Sequence, residues 1–206
     1  ATPRKTRIME YDPGSINIKD IIPDLDVVIT LSRNGYIKRT LLSNYQQQRR
    51  GGKGIAGANV SEKDFVTNLI ITTNHQDLFL FSNQGKVYRL KVYEIPEGSR
   101  IAKGVHMNNL LPLTSNEYIA TIISLRNLDE DKYFLFITKN GMVKKTSFSE
   151  FKTLRSQGKI AITLRESDEL IAVKVIEKDS GIILTTRNGY AIRFTGKEIR
   201  SIGRKA

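Results

Sequence analysis

The sequence predicts an all-β, propeller-like fold of repeated sheets, and three observations carry that expectation. One motif recurs four times along the 206 residues. Each copy joins an apolar, β-branched-rich run to a second strand-like run across a glycine turn. No long segment with a 3.6-residue apolar period occurs in the chain.

The four copies are ITLSRNGYIKRT from Ile29, LFSNQGKVYRLK from Leu80, FITKNGMVKKTS from Phe136 and LTTRNGYAIRFT from Leu184. Aligned on Gly35, Gly85, Gly141 and Gly189, they are spaced by 50, 56 and 48 residues. A hydroxyl residue stands three before each glycine: Ser32, Ser82, Thr138 and Thr186. A basic residue stands four after it (Arg39, Arg89, Lys145, Arg193), and an apolar residue ten after it (Tyr45, Ile95, Phe151, Ile199).

Within a repeat the elements follow in a fixed order. The runs 27–31, 78–81, 133–137 and 182–184 are outgoing strands. Asn-Gly or Gln-Gly follows, and Asn-Gly is expected to supply the positive φ of a tight hairpin. The alternation Lys86-Val87-Tyr88-Arg89-Leu90 marks the return strand. Further strands are expected at 68–72, 118–124 and 170–176. Each repeat is therefore a sheet of three or four strands, and repeats of this length, one sheet each, are the sequence form of a propeller. They fall at about 1–72, 73–124, 125–176 and 177–206, the last incomplete, in one domain spanning 1–206.

Composition narrows the function. The hydrophobic fraction is 39% and the charged fraction 26%, which suits a packed core rather than a disordered chain. Cysteine is absent, excluding disulfides, thiolate chemistry and zinc–thiolate sites. No apolar run approaches the length of a bilayer and no signal peptide opens the chain, so no membrane partner is expected. Thirty-three Lys and Arg against twenty-one Asp and Glu leave a net charge of +12, which favours a polyanionic partner.

The repeat alignment gives that charge a location. Lys53, Lys103 and Lys159 each lie eighteen residues after their repeat's glycine, and Arg50, Arg100 and Arg204 lie fifteen after theirs, with Ser156 the exception. The segment QQQRRGGKG ending at Gly54 is thus the first repeat's copy of a loop that every repeat carries, and the most basic copy. Gly51, Gly52 and Gly54 let backbone amides approach an anion, and Arg49, Arg50 and Lys53 bring three cations to the same place. A dinucleotide fingerprint can be read at 52–57, but no strand leads directly into it and no βαβ unit surrounds it. A Walker loop fails because Gln47 stands where it needs glycine and Gly54 where it needs Ser or Thr. Equivalent residues of a propeller occupy equivalent places on its rim. Lys38, Arg39, Arg89, Arg100, Lys103, Lys144, Lys145, Lys159, Arg193 and Arg204 are therefore expected to form a basic track. Such a track suits bent duplex DNA held through its phosphates, whereas aromatic content of 8% and no tryptophan disfavour a stacking platform for single strands.

The seven residues Gln48, Arg49, Arg50, Gly51, Gly52, Lys53 and Gly54 match the motif known as the gyrase-A box. The chain resembles the C-terminal domain of bacterial DNA gyrase A subunits over essentially its whole length. The segments RKTRI from Arg4, DVVITLSRNGYIKR from Asp26 and NNLLPL from Asn108 share the resemblance. It implies a β-pinwheel, a disc of four-stranded blades that exchange strands with their neighbours. Six blades are usual in the family and about four are present here, so the chain is expected to be part of a longer array. The resemblance further implies that duplex DNA is wrapped around the rim with positive handedness, so that strand passage introduces negative supercoils. The box is required for that wrapping. The implied partners are DNA and, in an A2B2 holoenzyme, gyrase B together with the rest of gyrase A. The isolated domain is expected to be monomeric and its location cytoplasmic. No cofactor is expected in this domain, ATP and magnesium being used elsewhere in the holoenzyme. Two alternatives stay open: a topoisomerase IV C-terminal domain, which lacks an intact box, and a propeller that docks an acidic protein.

No catalytic constellation is visible, and no catalytic or metal residue is assigned. The family's cleaving tyrosine and its ATP site lie outside this chain. Tyr36, Tyr88 and Tyr190 flank the hairpin turns and read as strand residues, while His75 and His106 lack a partner at metal-ligand spacing.

Overall fold

The computed structural model describes residues 21–45, 64–129, 131–154 and 157–206. Thirteen strands and five single-turn 3-10 segments make up its regular structure. The first sheet holds β1 (Asp26–Ser32), β2 (Tyr36–Leu41), β3 (Val66–Thr73) and β6 (Val105–His106), in the order β3-β1-β2-β6. The second holds β4 (Asp77–Ser82), β5 (Lys86–Lys91), β7 (Ile119–Leu125) and β10 (Lys159–Ile160), in the order β10-β5-β4-β7. The third is β11 (Leu170–Glu177), β8 (Lys132–Thr138) and β9 (Val143–Ser147), and the fourth is the hairpin of β12 (Gly181–Thr185) and β13 (Ala191–Thr195). The fold is therefore all-β, with antiparallel sheets repeated along the chain.

Strand exchange is visible in the order. The second repeat supplies β6, which pairs with β2 of the first sheet, and the third supplies β10, which pairs with β5 of the second. After each excursion the chain returns to the opposite edge of its own sheet, as β7 on β4 and β11 on β8. The strand β7 neighbours both β3 and β11. The sheets therefore converge on those edges, and the exchanged loops lie on the far edges.

The outgoing strands β1, β4 and β8 do not alternate because both of their faces are covered, whereas in β12 Ile182 is buried and Ile183 exposed. In β4, Leu78 and Leu80 join Val27, Ile29 and Leu31 in the core between the first two sheets. On its other face, Phe79 and Phe81 join Phe134, Phe136, Phe148 and Phe151 between the second and third. Phe134 is the hub, with ring centroids 4.3 Å from Phe148, 5.0 Å from Phe151 and 5.1 Å from Phe81. Phe134→Ala is expected to cost about 3–5 kcal/mol, measured as a shift of the urea midpoint at unchanged slope.

The hairpin turns differ in one respect from the sequence expectation. Gly35, Gly85, Gly141 and Gly189 have φ of +82°, +77°, +82° and +84°, but the residues before them do not have positive φ. Each glycine N–H donates to the carbonyl three residues back, as Gly35 to Ser32 at 3.0 Å. The turn is type I closed by a left-handed glycine, not a two-residue type I′ turn. Only the glycine carries the unusual conformation, so Gln84 can stand where the other repeats have asparagine.

Candidate nucleic-acid interface

The repeated hydroxyl has a direct structural role. The Oγ of Ser32 accepts the N–H of Tyr36, Ser82 that of Lys86, Thr138 that of Met142 and Thr186 that of Tyr190, at 3.1–3.3 Å. A carboxylate clasps three of these turns from the strand that returns to the same sheet. Asp64 accepts the Asn34 N–H and Asp168 the Asn140 N–H, both at 3.0 Å. Glu117 takes this place in the second repeat and accepts from the Tyr88 hydroxyl at 2.8 Å, Lys86 Nζ at 2.9 Å and the Thr114 N–H at 2.9 Å. Burial raises the Glu117 pKa. The hydrogen bonds from the Thr114 N–H, Lys86, Ser82 and the Thr114 hydroxyl outweigh it and bring the group down to about 2. Asp64 and Asp168 are lowered too: burial opposes, but hydrogen bonds from Ser32 and Thr138 and from backbone N–H groups prevail. These three acids were not singled out in the sequence. Their signal is a carboxylate two residues before β3, β7 and β11.

Each clasp fixes one end of a hairpin, and the next repeat's loop then runs along the outer edge of that sheet. Gly98 N–H donates to the Arg39 carbonyl, and Ile202 N–H, at the same offset two repeats later, donates to that of Lys145. Parallel bridges join Arg39 to Glu97 and Lys145 to Ser201. These loops carry Arg100 and Lys103 on the first sheet, Lys159 on the second, and Arg204 with Lys205 on the third. Lys103 is exposed and sits 3.8 Å above the Tyr36 ring. Lys159 is exposed and donates to the Thr153 carbonyl at 3.2 Å. Arg100 and Arg204 are half-buried, and Arg204 donates to the Ile160 carbonyl at 3.3 Å.

The remaining members of the expected track are placed differently. Lys38, Lys144 and Lys145 are only 2%, 4% and 5% exposed. Their ammonium groups are directed at backbone carbonyls rather than at solvent, Lys145 at Gly196 at 2.6 Å. Arg39 binds Asn74 and Glu97. Arg89 binds Asp77 at 2.6 Å and the Lys152 carbonyl at 3.2 Å. Arg193 is exposed on β13. The structure thus divides the ten residues into edge-loop cations, a solvent-facing Arg193 and a set that joins elements inside the fold. The reason is the strand edge itself: the next repeat's loop covers it, so the lysines there meet carbonyls, while Arg39 and Arg89 also meet the side chains of Asn74, Glu97 and Asp77. The box residues Gln48, Arg49, Arg50, Gly51, Gly52, Lys53 and Gly54 lie outside the described residues.

The tyrosines also diverge. Tyr88 is buried, whereas Tyr190 is 76% exposed. His106 packs edge-on against Tyr36 at 5.3 Å, and its Nδ1 accepts the Asn108 N–H. Among the described residues no group of three or more His, Asp or Glu is placed to hold a metal ion.

Comparison with known proteins gives a consistent result. The family described as DNA gyrase C-terminal domain, beta-propeller, matches residues 26–73, 76–126, 132–177 and 182–206. The chain is 52% identical over 205 residues to the DNA gyrase A protein of Lawsonia intracellularis (strain PHE/MN1-00), covering 100% of this chain and 25% of that protein. It spans about a quarter of the length of the curated relatives it matches. Among solved structures it is similar to the C-terminal domain of DNA topoisomerase IV, with a TM-score of 0.74 and 30% identity over 89% of this chain and 56% of that one. It is also similar to the DNA gyrase A C-terminal domain, with a TM-score of 0.69 and 28% identity over 87% of this chain and 58% of that one.

Proposed function

The chain belongs to the DNA gyrase C-terminal domain, beta-propeller family, and we propose that it grips duplex DNA on the loop-covered outer edges of its sheets and wraps it with positive handedness. One observation carries the reading. Loops at equivalent offsets lie on successive sheet edges and bring Arg100, Lys103, Lys159, Arg204 and Lys205 to the periphery. Cations spaced in this way neutralise phosphates along a curved path without reading base edges. Within a gyrase holoenzyme, with gyrase B and the rest of gyrase A, wrapping presents a neighbouring stretch of DNA for strand passage and so drives negative supercoiling. The domain contributes binding and geometry only; it needs no cofactor, ATP and magnesium serving other parts of the holoenzyme.

The box is the strongest attachment point in this reading. Replacing Arg49, Arg50 and Lys53 together by alanine is expected to leave the urea midpoint unchanged and to abolish DNA bending, while weaker binding through the other loops persists. Energy transfer between the ends of a labelled duplex measures the bend. Parent-like bending by the triple variant would remove the box from the wrapping path and favour the topoisomerase IV type of domain. Preference for acidic proteins over duplex DNA would favour the docking alternative.

A further inference from the structure

Two buried lysines, three residues after Gly35 and Gly141, make the same unusual contact. Lys38 Nζ donates to the carbonyls of Ser99 at 3.2 Å, Ala102 at 2.9 Å and Arg100. Lys144 Nζ donates to those of Ala161 at 2.8 Å, Arg204 at 2.6 Å and Ala206 at 2.9 Å. Three N–H donors meet three acceptors, so each ammonium is saturated. Arg100 and Arg204 occupy one offset in their repeats, and Ala102 and Ala206 another. Each loop therefore passes around a lysine of the preceding sheet, held at three carbonyls by Lys38 and at two by Lys144, whose third acceptor, Ala161, belongs to the third repeat. The arginine's own carbonyl is one of the points held in both.

The second repeat is an internal control. Its residue at the lysine offset is Tyr88, whose hydroxyl donates to Glu117 rather than to the loop. The loop on that edge has Gly158 against the Tyr88 ring, where a Cβ would come within 2.4 Å of Cε1. At the arginine offset it carries Ser156. Lysine in the sheet accompanies arginine in the loop twice, and tyrosine accompanies serine once. Burial, and then the charge of Arg100 beside Lys38 and of Arg204 beside Lys144, lowers both lysine pKa values, that of Lys144 to about 8. Each site thus holds two cations close together, an arrangement that an approaching phosphate relieves.

We propose that Lys38 and Lys144 are positioning residues that shape the Arg100 and Arg204 loops for phosphate contact without touching DNA themselves. The proposal rests on the DNA-binding reading above, and its two halves separate experimentally.

The chain has no cysteine, so Lys38→Cys introduces a unique thiol. Alkylation in denaturant with 2-bromoethylamine, followed by refolding, rebuilds a lysine-like ammonium; 1-bromopropane gives a neutral chain of the same length. Amide exchange of residues 98–104 is measured without DNA, alongside the β8–β9 hairpin as a remote reference, and duplex affinity is measured against salt. With the propyl chain, exchange at 98–104 is expected to rise at least about tenfold while the reference is unchanged. The salt slope should fall by about 1–2, the loss of the phosphate contacts of Arg100 and Lys103. The aminoethyl chain should restore both, which a merely space-filling role for Lys38 would not require. Unchanged exchange with the propyl chain would overturn the loop-shaping half. Faster exchange with an unchanged salt slope would overturn the DNA half alone. Failure of the parent to bind duplex would overturn the DNA half and the functional reading together, while exchange still decides the loop half. If the alkylated chain does not refold, Lys38→Met, folded during synthesis, supplies the neutral arm with the same two readouts.

Discussion

Raising salt from about 50 to 200 mM is expected to weaken duplex binding by on the order of 10³–10⁵, if roughly 6–10 phosphates are neutralised. On the proposed reading, the edge-loop and solvent-facing cations carry that slope. Arg100, Lys103, Lys159, Arg204 and Lys205 ride on the edge loops, and Arg193 faces solvent on β13. Removing Arg100 and Lys103 together should reduce the slope by about 2, uniformly over duplex sequences. Lys145 provides the contrast, because its ammonium is committed to the Gly196 carbonyl. Lys145→Met should lower the urea midpoint and leave the slope unchanged. Titrations of a labelled duplex at several salt concentrations check both, and an equal effect of the two substitutions would refute the division between loop and internal cations.

Loss of the Glu117 charge is expected to destabilise the second sheet strongly. The Glu117 carboxylate is fully buried and ties the second hairpin turn to Thr114, Lys86 and Tyr88. The group is lowered in the folded chain from 4.5 to about 2. Its contribution is therefore fully present above pH 4.5 and lost as pH falls toward 2. A shift of that size corresponds to roughly 3 kcal/mol. Glu117→Gln should remove about that much at pH 7, leaving Lys86 without its partner, and should flatten the acid limb between about pH 4.5 and 2. Urea midpoints of parent and variant at pH 7 and pH 3 give the test. The gap between them should narrow markedly at the lower pH; a constant gap would mean that the charge is not the source of the stability.

The repeat was legible because its offsets are held rigidly by the hairpins. The glycine, the hydroxyl three before it and the runs that became β1, β4, β8 and β12 keep one spacing in all four copies. The clasp acids escaped that alignment because the loops differ in length: Asp64, Glu117 and Asp168 fall at different distances from their glycines, yet each lies two residues before its returning strand. The edge cations were legible as charge but not as geometry. A lysine in an alternating strand reads as solvent-facing, and nothing within a single repeat shows that the next repeat's loop will cover it. The clue to burial was Tyr88, 1% exposed, standing at the offset of Lys38 and Lys144. Pairing by β6 and β10 was illegible for a simpler reason: two-residue strands carry no periodicity to read.

Whether this array of edges bends and wraps duplex DNA is read by binding the chain to relaxed plasmid, relaxing the complex with a nicking–closing enzyme, removing the protein and measuring the linking-number change. A positive shift that grows with bound protein is the predicted result. Saturating binding with no shift, or with a negative one, would exclude wrapping with positive handedness.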